Sequence, residues 1–264
     1  VTEPYAPFGE ALAWLVALVL SSVRVLVVSL FLPMLKPTVI MRTTYLGVVL
    51  AIASLNVPVV MSGLPDRWPW SFWFPVVAKE AFIGMVVGFV AGAVFWAVDA
   101  AGALIDQQTG STQSSVLDPL NDHSGGPSDD FMTQAFTTLV LASGAFLVLL
   151  GGLYDTFALW PVLSTWPALT EGFVSGLADE FSRQFALGGA LVLPFLVVLL
   201  LVEVAVGLAA RAMPSLDGHT FAQGLKHLAA QFLMLILLGA LFARILEYIA
   251  AFPVREGVKR ILGV

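Results

Sequence analysis

Residues 79–110 read KEAFIGMVVGFVAGAVFWAVDAAGALIDQQTG, and residues 111–131 continue STQSSVLDPLNDHSGGPSDDF. The first part is an apolar run in which Gly84, Gly88 and Gly92 recur every fourth position, so they share one face of a helix. Ala81, Ala91, Ala93 and Ala97 place further small side chains around it. Rows of small residues in an apolar helix let a second backbone approach closely, which is how helices associate where lipid gives no hydrophobic reward. The second part is polar. Between Asp106 and Asp130 there is no Lys or Arg, and Gly110, Pro119, Gly125, Gly126 and Pro127 prevent a helix from continuing. Asp99 and Asp106, seven residues apart, share a helical face towards this loop and read as its anchors. A loop of this length is either functional or a solvated connector, and composition alone does not separate the two.

Outward from this stretch the chain is apolar almost throughout. Of its 264 residues 59% are hydrophobic and 11% charged, with a mean hydropathy of +0.93. A soluble domain carries about 25% charged residues, so this composition specifies an integral membrane protein. Because lipid cannot satisfy open strand edges, the expected fold is all-α. Six stretches approach the roughly 20 residues needed to cross a bilayer: 11–32, 39–60, 75–98, 131–153, 187–209 and 228–251. The expectation is a polytopic membrane protein of about six long apolar helices, arranged as kinked hairpins in a hetero-oligomeric helical assembly. The chain reads as a single helical domain over 1–264, with an interfacial connector at 154–186. Trp68, Trp70 and Trp73 read as an interface belt, and Pro194 predicts a kink. Arg255, Lys259 and Arg260 form a basic cluster that puts the C-terminus on the cytoplasmic side.

The run KEAFIGMVVGFVAG followed by LIDQQTGSTQSSVLDPL resembles the SctT/FliR family of type III secretion export-apparatus membrane proteins. Shared are a Lys-Glu-Ala helix start, a glycine-spaced helix, an Ile-Asp-x-Gln-x-Gly turn and a following Pro. The Ser-rich run ending in Leu117-Asp118-Pro119-Leu120 is more similar to the injectisome branch than to the flagellar one. The sharp match covers about fifty residues. Family members usually carry Ala-Pro-Gln before the last helix, where this chain has Met213-Pro214-Ser215, and position 109 is Thr rather than the Arg of many injectisome members.

The resemblance implies a core subunit of the export gate in the bacterial inner (cytoplasmic) membrane. Such a subunit helps to form and close the entry pore for unfolded secreted polypeptides. It implies SctR-like and SctS-like partners, an SctU-like subunit beside them, and contact with membrane lipid. It also implies that Asp106, Gln107, Gln108, Gly110, Val116, Leu117, Pro119 and Leu120 belong to a plug loop, with Gly84, Gly88 and Gly92 as the packing face. A secondary transporter or a proton-conducting membrane subunit is the alternative. The first would want an inverted repeat and paired broken helices.

Two charges stand inside apolar spans, Arg24 and Glu203. A charge at mid-bilayer costs about 2.5–3.5 kcal/mol even on the lenient insertion scale, so it is normally paired or faces a polar cavity. The two either bridge helices, meet neighbouring subunits, or snorkel separately. Lys79 and Glu80 read as charges at a helix start, explained by snorkelling and the helix dipole. His123, His219 and His227 lack metal-ligand spacing, there is no cysteine, and no nucleophile or phosphate-binding motif occurs. Neither an enzyme nor a cofactor is expected. The net charge of −6 and pI near 4.9 argue against nucleic acid as a partner.

Overall fold

In a computed structural model, residues 6–35, 41–64, 70–111, 126–164, 172–213, 218–251 and 257–259 are described. Among them the architecture is all-α, with no strand. The helices in chain order are α1 (Ala6–Phe31), α2 (Arg42–Ser54), α3 (Val57–Ser62), α4 (Trp70–Thr109), α5 (Pro127–Ala142), α6 (Ala145–Leu159), α7 (Gly172–Ala212) and α8 (Gly218–Ala251). A 3-10 turn at Pro33–Leu35 ends α1, where proline cannot continue the helix.

Four of these helices, α1, α4, α7 and α8, are long and apolar enough to cross a membrane, and α5 with α6 adds a fifth crossing if that broken pair counts as one. The six expected spans are therefore corrected to four or five. The stretch 39–60 breaks at Leu55 and Asn56, with Pro58 starting the short α3, so neither piece is long enough to span. The stretch 131–153 breaks at Ser143 and Gly144, where Gly144 takes φ +79°, a left-handed conformation that interrupts the hydrogen-bond ladder. Conversely, α4 and α7 run further than hydropathy suggested. The polar residues 99–109 continue α4, and the segment from Gly172 to Arg183 belongs to α7 rather than to the expected interfacial connector. Helix α7 also continues through Pro194.

The chain divides into two compact units. The first takes Val1–Gly92, Leu147–Glu180 and Phe252–Val264; the second takes Ala93–Phe146 and Phe181–Ala251. In the first, α1 packs on α2 and α3 through Ala17, Leu20, Val49, Ala53 and Val57, all buried. Tyr45 brings its hydroxyl to Ser29 Oγ at 2.8 Å, and Tyr154 donates to the Ile52 carbonyl at 2.9 Å. These polar groups are satisfied locally, as buried hydroxyls require.

Gly84, Gly88 and Gly92 of α4 face α1. A Cβ at Gly84 would lie 2.9 Å from the Arg24 carbonyl oxygen, and at Gly92 2.8 Å from that of Phe31. At Gly88 it would meet the Phe31 ring at 2.5 Å. The four-residue glycine period thus marks the line along which one backbone lies against another.

In the second unit, Phe95 and Ile105 of α4, Met132 and Phe136 of α5, Phe195 and Leu199 of α7, and Ile245 of α8 form the core. Phe136 lies between Phe95, at 5.1 Å between ring centres, and Phe242, at 6.0 Å. Both distances fall within the range of favourable tilted aromatic pairs.

Candidate functional site

Within the second unit, α4 ends where the polar loop begins. Thr109 turns its hydroxyl back onto the carbonyls of Ile105 and Asp106, and Gly110 then takes φ +76°. That left-handed residue after the last helical one is the usual helix stop, at low cost only for glycine. Ser111 Oγ lies 2.8 Å from Thr109 Oγ1 and 3.2 Å from His227 Nδ1 on α8. Gln223 of α8 closes over Gly110, so that a Cβ there would come within 3.0 Å of the Gln223 amide nitrogen.

The other end of the loop returns to the same place. Asp106 is fully buried, and its carboxylate accepts the backbone N–H of Ser128 at 3.1 Å and of Asp129 at 2.9 Å. These are two of the orphan N–H groups in the first turn of α5, so Asp106 caps α5 from a neighbouring helix. Two glycines make room for this clamp. A Cβ at Gly126 would lie 2.5 Å from Asp106 Cγ, and one at Gly102 would lie 2.5 Å from Asp129 Cα. One turn earlier on α4 than Gly102, Asp99 is exposed and receives a long bond from Thr133 Oγ1 of α5 at 3.5 Å. Gln107 and Gln108 are exposed at the end of α4. Val116, Leu117, Pro119 and Leu120 lie outside the described residues.

The first unit holds a different polar centre. Arg24 of α1 is fully buried and meets Glu80 of α4 with two parallel bonds, Nε to Oε2 at 2.9 Å and Nη2 to Oε1 at 3.0 Å. Its Nη2 also donates to the Trp160 carbonyl at 2.9 Å, and its Nη1 to Thr156 Oγ1 at 3.2 Å. The Thr156 hydroxyl in turn donates to the Leu153 carbonyl at 2.6 Å. The Phe157 ring covers the guanidinium at 4.1 Å. Lys79, also buried, donates to the carbonyls of Pro161 at 2.9 Å, Val162 at 2.7 Å and Ser164 at 3.2 Å, and lies 3.2 Å from Glu80 Oε1.

Two cations thus share one carboxylate, and the surplus positive charge rests on carbonyls just past the end of α6. That is where the helix dipole is negative. Snorkelling from a helix start, expected for Lys79 and Glu80, is overturned: α4 begins nine residues earlier at Trp70, and both side chains point into protein. Arg24 takes Glu80 as its partner, and Glu203 of α7 takes Lys226 of α8 at 2.8 Å. Each charge is matched within its own unit. Missed from the sequence were the partner Glu80 and the cage around Lys79. An Arg in one span and an adjacent Lys-Glu pair in another was the available signal, since a mid-span guanidinium calls for a carboxylate.

A helical membrane protein of several crossings, with a charged staple between α1, α4 and the end of α6 and an α4 carboxylate that caps the first turn of α5, is the class these observations define. The chain belongs to the bacterial export proteins, family 1, whose model matches residues 15–252, the family that includes SctT and FliR proteins. It is 34% identical to Yop proteins translocation protein T of Yersinia pestis over 161 residues, 61% of this chain and 62% of that protein. The match to that relative therefore spans less than two thirds of its length. Over 232 residues it is 26% identical to secretion system apparatus protein SsaT of Salmonella typhimurium, covering 84% of this chain and 87% of that one. Flagellar biosynthetic protein FliR of Bacillus subtilis is 31% identical over 159 residues, 60% of this chain and 61% of the relative.

Proposed function

We infer that this chain is a core subunit of a type III secretion export gate in the bacterial inner membrane, of the injectisome branch. There it helps to form and close the entry pore for unfolded proteins. The reading rests first on the family, whose printed description is bacterial export proteins and whose matched members include a translocation protein and a secretion apparatus protein. The observation that carries the gate assignment is the Asp106 clamp. Asp106 of α4 accepts from Ser128 and Asp129, so the end of α4 and the first turn of α5 meet at one carboxylate. That juncture supports reading the polar sequence between the two helix ends as a plug rather than as a spacer between distant elements.

The exposed apolar surface supports SctR-like, SctS-like and SctU-like partners. Helix α7 has 41 residues and is about 61 Å long at 1.5 Å per residue, against about 30 Å of bilayer hydrocarbon. Its exposed apolar side chains run from Val174 to Leu208. One bilayer does not cover that length of an upright helix, so sister helices are its natural cover.

The gate works sterically in this account. Val116, Leu117 and Leu120 seal a narrow conduit, Gly110 and Pro119 shape the loop's two ends, and the Ser, Gln and Asp residues keep it soluble when it moves aside. Deleting Ser111–Leu117 tests this. Assembled complexes carrying the deletion are expected to leak ions or small solutes, and deleted complexes as tight as wild type would refute the plug role.

A further inference from the structure

Glu203 differs from Arg24, Lys79, Glu80 and Asp106, all of which are buried. It sits on α7 among Leu200, Leu201, Val204 and Leu208, all more than half exposed. Its Oε2 accepts from Lys226 at 2.8 Å, while its side chain is 57% exposed and that of Lys226 only 10%. Among the described residues nothing bonds to Oε1. The pair is therefore neutral in sum but lopsided, with the ammonium tucked against the protein and half of the carboxylate facing outwards. An exposed carboxylate oxygen on an apolar face needs either water or a donor, because apolar surroundings do not replace its lost hydration.

A second observation lies one turn further along. Gly207 follows Glu203 at i+4, and a Cβ there would meet nothing within 4 Å. Gly84, Gly88, Gly92, Gly102 and Gly126 each have an internal neighbour that a Cβ would strike. Gly207 has none, as is also true of Gly151, Gly189, Gly224 and Gly239; what sets it apart is its place one turn from Glu203, where a helical glycine costs about 0.5–1 kcal/mol relative to Ala. The space beside Glu203 is open on the outer side of α7.

We propose that the Glu203–Gly207 turn is a docking site for an apolar helix of a partner subunit, which brings a hydrogen-bond donor to Oε1 of Glu203 across Gly207. The donor is a cationic, amide or hydroxyl side chain on that helix. The inference rests on the export-gate reading, which supplies partner helices, and adds where one of them registers. Lipid is the poorer occupant on two grounds. The apolar stripe of α7 is longer than a bilayer is thick, and an acyl chain offers no donor. A donor on a partner fixes axial register, which apolar contact alone leaves free to slide.

The test places a photoreactive side chain at Leu200 in the intact apparatus in native membranes, and pairs it with substitutions at the turn. The expected adduct is to an apolar segment of a different subunit, with a donor side chain within one turn of the adduct. Lipid adducts alone, or adducts to a second copy of this chain, would overturn the proposal, and lipid alone would also remove the sister-helix cover claimed for this face. Glu203→Leu is expected to lower recovery of assembled complex on the order of tenfold, the size of a lost hydrogen bond to a charged group, and Glu203→Gln to lower it far less.

The decisive variant is Glu203→Leu with Lys226→Met, which removes the unpaired ammonium that Glu203→Leu alone leaves behind. Recovery that stays low in the double variant, while the isolated chain unfolds at its normal temperature, supports the partner donor. Recovery restored to wild type would mean that Glu203 serves only Lys226. That result with protein adducts still forming at Leu200 would sink this inference and leave the export-gate reading standing.

Discussion

The Arg24 and Glu203 centres answer the same problem in opposite ways. Around Arg24 the chain supplies every partner itself: a bidentate carboxylate, a hydroxyl, a backbone carbonyl and an aromatic face, with Lys79 closing the other side on three carbonyls. Around Glu203 it supplies one cation and leaves the rest exposed. The glycines beside the two centres differ in the same way, since Gly84, Gly88 and Gly92 face an internal backbone or ring while Gly207, like Gly189 on the same helix, faces open space. A polar group satisfied internally belongs to folding. One left half-satisfied on an apolar face belongs to assembly.

Substitutions at the two centres separate these roles. The largest effect is expected from Glu80→Ala, which leaves Arg24 and Lys79 buried without their carboxylate. Removing one partner of a buried pair costs about 3–5 kcal/mol, so the chain should fail to accumulate or should unfold far below wild type in detergent. Arg24→Lys should also destabilise it, because an ammonium cannot reproduce the planar fork that meets Glu80, Thr156 and Trp160 together.

Next is Gly88→Ala, whose new methyl would lie 2.5 Å from the Phe31 ring. Overpacking of this kind costs about 1–3 kcal/mol. Gly207→Ala is its counterpart: in the isolated chain it should stabilise α7 by about 0.5–1 kcal/mol, yet weaken assembly. If both glycines behave alike in the isolated chain, the division between internal and external faces fails.

Smaller again is Asp106→Ala, which removes the cap on α5 and should cost about 1–2 kcal/mol. Amide hydrogen exchange at Ser128 and Asp129 reads it directly, because both N–H groups lose their acceptor. Unchanged protection there would show that the clamp is not what holds the loop ends together. Tyr45→Phe should cost about 1 kcal/mol, a single buried hydrogen bond to Ser29.

Much of this was visible in the sequence, for reasons that also explain what was not. The glycine period on α4 is a local signal, and a four-residue repeat maps onto one helix face whatever surrounds it. Arg24 stood out because an apolar run makes any charge conspicuous. Its partner did not, since Glu80 is 56 residues away and no spacing rule links two helices that meet in space. Lys79 and Glu80 were misread because hydropathy placed the helix start near them, whereas the aromatic residues from Trp70 onward are already helical. The span count came out too high and the lengths of α4 and α7 too short. A hydropathy window cannot see that Gly144 adopts a left-handed conformation, nor that the polar residues 99–109 continue a helix. The Asp106 clamp was half legible: its helical position marked it as an anchor, but the two amides it holds lie beyond a loop whose path no local pattern specifies.

The most direct test compares Glu80→Gln with Glu203→Leu/Lys226→Met, each measured twice: thermal unfolding of the isolated chain and recovery of the assembled complex. The Glu80 variant is expected to lower both, whereas the Glu203 pair is expected to leave unfolding unchanged and to lower recovery alone. A Glu203 pair that assembles as well as wild type, or loses assembly only in proportion to its own stability, would contradict this expectation.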